Sequence, residues 1–258
     1  MIFPSRRISG ETFLPQTITR EVSRRAWLMG SLALAGLAAG CAPPAPRAIA
    51  IAEPIIDPGF LAMYDARPDE RFPLPATDIS HVDPKYFRQE VDYPRDEQPG
   101  TIVVDPGNKF LYLVRANHRA VRYGVGVGKE GLAWSGRARI RRKAEWPRWT
   151  PTSDMIARDP ELNGPWRNGM PGGLTNPLGA RALYLFEGNR DTLYRIHGTT
   201  EPNTIGTNVS SGCIRMFNQD IIDLYGRVPL ETNVVVLDAN DNVEPSAPMV
   251  ADRRVRYY

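Results

Sequence analysis

From residue 100 onward the apolar positions fall into short runs separated by turn residues. TIVV (101–104) and KFLYLV (109–114) flank Asp105-Pro106-Gly107-Asn108, where proline presets φ and glycine admits positive φ. AVRYGVGVG (120–128) follows a second short turn, so these runs predict a β-meander. ARALYLF (180–186) and TLYRIH (192–197) predict two more strands, and NVVVL (233–237) a last one. GPWRNGMPGGLTNPLG (164–179) carries five Gly and three Pro and reads as a loop. One helix follows Cys213: Asn218 as cap, Asp220 in the positive first turn, and Ile221, Ile222, Leu224 and Tyr225 as an apolar face before Gly226. The predicted fold class is mostly β with one short helix. There is no internal repeat and no heptad, and a monomer is the default.

The N-terminal pattern is of another kind. Ser23-Arg24-Arg25 precedes an apolar stretch from Ala26 to Ala39, the length of a signal-peptide core and short of the ~20 residues of a membrane span. The paired arginines ahead of Trp27 and Leu28 resemble a twin-arginine export signal, with an ordinary secretory leader as the alternative. Ala38-Ala39-Gly40-Cys41 resembles a lipoprotein signal in which Cys41 is lipidated, although Leu37 stands four rather than three residues before it. The alternative is cleavage after small residues and a soluble product. Either reading exports the body to the periplasm, lipid-anchored to a membrane in the first case. The expected organisation is an export signal over 1–41, a Pro-rich tether and extension over 42–84, the folded domain over 85–238 and a tail over 239–258.

Charge removes one class of partner. Five arginines and two acids lie in residues 1–40, which leaves 27 basic and 27 acidic side chains in the rest of the 258 residues. A neutral body lacks the basic footprint that nucleic acid requires. The chain has two cysteines, Cys41 and Cys213. With Cys41 lipidated, Cys213 is an unpaired thiol in an exported protein, either reactive or a small core residue.

Cys213 has a suitable neighbour. The predicted strand TLYRIH delivers His197 at its end, and a polar loop leads to Ser210-Ser211-Gly212-Cys213. A thiolate is the effective nucleophile, and an imidazole can take the thiol proton. The Gly198 carbonyl or Thr199 could orient the ring, and the Gly212 and Cys213 amides could form an oxyanion hole. A Cys and a His at this spacing alone are a weak signal, and a core thiol with a satisfied strand-end histidine is the better reading of the spacing by itself.

The segment resembles the L,D-transpeptidase catalytic domain, also called YkuD, of bacterial cell-wall enzymes. That pattern is His-Gly, about fourteen to seventeen residues, then Ser/Thr-His-Gly-Cys, an apolar residue and Asn or Arg. His197-Gly198 and Gly212-Cys213-Ile214-Arg215 match, as do GTIVVD (100–105), NPLGARALYL (176–185), IHGT (196–199) and NQDIIDLY (218–225). The resemblance covers about residues 85–238 and implies a β-sandwich-like fold. It further implies Cys213 as nucleophile, His197 as general base and acid, Gly212 as oxyanion-hole backbone, and peptidoglycan tetrapeptide stems as substrate, with no cofactor. Release of D-alanine would be followed by a 3–3 crosslink or attachment of another amine, and water as acceptor would make an L,D-carboxypeptidase. The usual histidine two residues before the cysteine is Ser211 here; the base matches His197, so the proton path survives. A non-catalytic peptidoglycan-binding lipoprotein is the competing class.

Other candidates carry two readings each. Arg215 suits a substrate carboxylate or an ion pair with Asp220 or Asp223. Ser210, Ser211 and Thr199 are candidate substrate contacts. Arg137, Arg139 and Arg141 alternate on a strand face that is either solvated or turned to an anionic wall. Trp134, Trp146, Trp149 and Trp166 either pack or line a groove. His81 and His118 read as exposed loop residues. No His or Cys stands at ligand spacing, so no metal is predicted.

Overall fold

The computed structural model describes residues 56–128, 134–209 and 213–243. The leader with Cys41, most of the tether, Ser210, Ser211, Gly212 and the end of the tail lie outside these residues. Eleven strands are described: β1 Gln89–Asp92, β2 Ile102–Asp105, β3 Phe110–Arg115, β4 Arg119–Gly124, β5 Gly126–Gly128, β6 Gly136–Glu145, β7 Arg181–Glu187, β8 Arg190–His197, β9 Asn208–Val209, β10 Ile214–Arg215 and β11 Asn233–Val236. They form one ladder in the order β1-β4-β3-β2-β11-β6-β7-β8-β10-β5-β9. β2 and β11, β8 and β10, and β5 and β9 pair parallel, and the other pairs are antiparallel.

The fold is mostly β, as the pattern predicts. Its layers are one continuous sheet that closes over its inner face. Ile102, Leu111 and Val234 from one end of the order meet Leu183, Ile196 and Ile214 from the other in a single core, joined by Ile221 and Leu224 of the helix Asn218–Arg227. β2 and β3 are buried on both faces, because Val103, Phe110, Tyr112 and Val114 feed a second cluster behind the sheet with Tyr93 and Val243. Two buried faces explain why these strands read as continuous apolar runs rather than alternating ones.

Three expectations are corrected. The positive φ of the 105–109 turn falls on Lys109, at 64°, not on Gly107. Gly107 is needed for space, since a Cβ there would overlap Asn242 and the Ala239 carbonyl. The first residues of the tail pack against this turn, and the Val243 N–H donates to the buried Asp105 carboxylate at 2.9 Å. Asn218 does not cap its helix; Phe217 occupies the cap and makes no side-chain cap bond. Beyond the one expected helix there are short helices at Pro58–Met63, Ser153–Arg158 and Pro160–Asn163. Asp57, Thr152 and Asp159 cap them, and they are too short to show a helical period.

The extension before β1 has little regular structure yet is well fixed. Tyr64, Ile79, Val82 and Phe87 bury against Ile205 and Phe217. Gln219, fully buried, donates to the Tyr64, Asp65 and Pro75 carbonyls at 3.2 Å and accepts from Thr77 Oγ1 at 2.7 Å. Replacing Gln219 by leucine strands several of these groups at about 1–3 kcal/mol for each one left dry. Gln219→Leu is expected to lower urea-unfolding stability by about 2–4 kcal/mol; a loss below about 0.5 kcal/mol, the size of an ordinary surface change, would contradict this role.

Candidate active site

β8 ends on His197, and β10 begins one residue after Cys213. Ile196 stands opposite Ile214, and His197 opposite Arg215. Both isoleucines are pinned in the main core. Side chains alternate along a strand, so Arg195, His197 and Arg215 lie on the opposite face, and the same period places Cys213 there. The ladder runs on past both strand ends: the Met216 N–H donates to the His197 carbonyl at 2.8 Å, and the Gly128 N–H to the Cys213 carbonyl at 3.3 Å. Cys213 is half-buried.

His197 is buried, and its Nδ1 lies 2.6 Å from the Gly198 carbonyl oxygen. A carbonyl only accepts, so the neutral ring holds its proton on Nδ1 and leaves Nε2 as an acceptor. Burial pushes the imidazole down to about 4; the Gly198 carbonyl opposes this, and the Arg215 and Arg195 guanidiniums reinforce it. At neutral pH the ring is an uncharged base. Of the two groups the sequence offered to orient it, the Gly198 carbonyl stands at the ring, whereas the buried Thr199 hydroxyl accepts from the Glu201 N–H at 3.0 Å.

Arg215 pairs with neither Asp220 nor Asp223. It meets Glu201 at 2.6 Å, because the pleat of β10 turns it toward the site. The two aspartates turn to Arg88 of the extension, Asp223 at 3.0 Å and Asp220 at 3.7 Å. Asp220 is wholly buried, and burial raises its carboxyl to about 7 against the pull of Arg88 and the Tyr64 hydroxyl.

The remaining candidates disperse. Trp146 is buried with its Nε1 donating to Glu70 at 2.9 Å, while Trp134 stacks on Tyr194 against the main core. Trp166 is exposed. Arg137, Arg139 and Arg141 are exposed, the last two pairing with Glu231. His81 and His118 are exposed. Among the described residues no group of three His, Cys, Asp or Glu side chains is placed to hold a metal, and no helix is long and apolar enough to cross a membrane.

Sequence reasoning missed Glu201, Arg195 and Asn176. Asn176 is fully buried and donates to the Pro147, Met170 and Pro171 carbonyls, closing the base of the 147–178 excursion. Only the pattern N-P-L-G around it hinted at a turn; Glu201 and Arg195 carried no periodic signal.

The model of the family YkuD, L,D-transpeptidase catalytic domain, matches residues 99–236. The Salmonella typhimurium protein named Probable L,D-transpeptidase ErfK/SrfK is 33% identical over 195 residues, 72% of this chain and 59% of that protein. Probable L,D-transpeptidase YbiS of Escherichia coli is 31% identical over 154 residues, 58% of this chain and 48% of that protein. The chain thus spans about half the length of the curated relatives it matches. A Brucella melitensis crystal structure, described as a probable carnitine operon oxidoreductase, is 56% identical over 60% of this chain and 96% of that one, with a TM-score of 0.44. That description belongs to that protein. With its matched catalytic segment enclosing both His197 and Cys213, the chain belongs to the L,D-transpeptidase catalytic-domain family of bacterial cell-wall enzymes.

Proposed function

We propose that the chain is a cysteine-dependent L,D-transpeptidase that acts on peptidoglycan tetrapeptide stems. The observation that carries this is the buried, neutral His197 with Nδ1 tied to the Gly198 carbonyl, on the same sheet face as Cys213. Nε2 takes the Cys213 proton, and the thiolate attacks the carbonyl between the third residue and the terminal D-alanine. The role of holding the oxyanion falls to the Gly212 and Cys213 amides, as the family pattern implies. As the C–N bond breaks, Nε2 returns the proton to the departing D-alanine amine, leaving a thioester. An acceptor amine then gives a proton to Nε2, attacks the thioester and expels the thiolate, which recovers that proton. A second stem as acceptor gives a 3–3 crosslink, and a protein or D-amino acid gives an attachment. One amide is made for each one broken, so neither ATP nor a cofactor is required. This suits an exported, periplasmic enzyme with a lipid anchor at Cys41.

Arg215 is the anchor for a substrate carboxylate. Its guanidinium is mostly covered, while its partner Glu201 is 63% exposed and can yield to a ligand anion. Ser210, Ser211 and Thr199 are the further candidate substrate contacts that the family pattern offers, and Ser211 stands where the family's usual histidine does, outside the proposed proton path. Chromatography of the products from defined tetrapeptide stems tests the reading. Equimolar D-alanine and a crosslinked or amine-substituted stem are expected. Intact stems after incubation with folded protein bearing a reactive thiol would overturn it.

A further inference from the structure

Asn218 opens the helix that follows Cys213, yet its side chain does no helix capping. Its Oδ1 accepts from the Ala180 N–H at 2.9 Å, at the start of β7, and its Nδ2 donates to the Thr199 carbonyl at 2.8 Å, just past β8. One amide therefore ties three chain segments: the helix after the nucleophile, the strand beside the base, and the loop leaving the base. Two glycines make room for it. A Cβ at Gly179, which has φ of 62°, or at Gly198 would overlap Asn218 Oδ1, and one at Gly179 would also run into the Gly198 backbone. Gly198 is fixed on both sides. Its N–H donates to the Arg181 carbonyl at 3.1 Å, and the next carbonyl along, that of Thr199, is held by Asn218. The carbonyl between these two anchors, that of Gly198, meets His197 Nδ1.

We infer that Asn218 is a positioning residue: by clamping the Gly198–Thr199 segment it aims the Gly198 carbonyl at Nδ1 and so keeps His197 in the tautomer whose Nε2 can receive the Cys213 proton. This rests on the proposed reaction for its meaning, but the tautomer is readable without substrate. In water a free neutral imidazole exchanges between tautomers, and only a fixed acceptor at Nδ1 excludes the Nε2–H form. Asn218 touches no reacting atom; it acts through the backbone.

The test uses the whole chain and Asn218→Asp, which keeps the size and the acceptor for Ala180 but has no donor for Thr199. Asn218→Ser, with a shorter donor, serves as the second variant should the aspartate fail to fold. The first readout is ¹⁵N NMR of the imidazole nitrogens at pH 7. The parent is expected to show a protonated Nδ1 and a bare Nε2, and the variant a mixture of tautomers. The second readout is kcat and KM for D-alanine release, with kcat expected to fall about tenfold or more and KM to hold, since ground-state contacts are untouched. A folded variant that keeps the parent's ¹⁵N pattern would overturn the inference, whatever its activity. A parent with the expected ¹⁵N pattern that releases no D-alanine would instead count against the proposed reaction and leave the positioning role standing.

Discussion

Cys213→Ala is expected to leave a folded chain whose D-alanine release falls by on the order of 10⁴-fold or more. In the proposed reaction the thiol contributes the bond-forming electrons, and among the described residues its neighbours on that face are His197, the proposed base, and the cations Arg195 and Arg215. Cys213 is half-buried and belongs to none of the apolar clusters of the described residues, so removing one sulfur opens no core cavity. Circular dichroism and unfolding midpoints should match those of the parent. Turnover within about tenfold of the parent would remove Cys213 from the chemistry.

His197→Asn carries the next largest effect, a fall in turnover of about 10²–10⁴-fold, the usual worth of a positioned general base. The asparagine amide can still donate to the Gly198 carbonyl but offers nothing at the place of Nε2. In the parent, the acid limb of kcat/KM should lie near pH 4, because burial holds the imidazole down there, rather than at the 6.5 of a free ring. A limb at 6.5 would show that the ring is solvated in the working enzyme.

The same variant exposes a balance in stability. The folded pKa of His197 lies below its unfolded value, so the unfolded chain binds more protons between about 4 and 6.5, and stability rises with pH across that window. Asp220 is the reverse. Its folded pKa, about 7, lies above its unfolded value, so its contribution is present at low pH and is lost as pH climbs toward 7. Between pH 4.5 and 6.5 the two slopes oppose each other. Removing His197 uncovers that of Asp220. Relative to the parent, the stability of His197→Asn should therefore fall with rising pH by up to ~1.4 kcal/mol per unit. Urea midpoints at the two pH values read this directly, and equal slopes in parent and variant would contradict it.

Much of the fold is visible in the chain because strands buried on both faces, such as β2, β3 and β11, are written as unbroken apolar runs. β1 and the two-residue strands β9 and β10 are not, since pairing partners distant in sequence rather than their own composition make them strands. At the site, His197 and Cys213 were legible through the His-Gly and Gly-Cys pairs. Arg215 was legible as a cation but not as the partner of Glu201, because the two are fourteen residues apart and a non-periodic turn, held by the Thr199 hydroxyl and by bonds from Thr204 to the Glu201 carbonyl, brings Glu201 round. Asn218 illustrates the limit best. Its position before Asp220 and an apolar face reads as a cap by every local rule, yet the closeness of Gly179 and Gly198 draws its amide away to two other backbones.

The claim on which the rest depends is that Cys213 becomes acylated by the stem. Intact-protein mass spectrometry of the purified chain mixed with a tetrapeptide stem, without an acceptor amine, tests it most directly. The predicted result is a gain equal to the mass of the stem less one D-alanine, mapped to the peptide holding Cys213, lost on adding hydroxylamine and missing from Cys213→Ala. An unchanged mass together with no free D-alanine, in folded protein whose thiol still reacts with iodoacetamide, would contradict it.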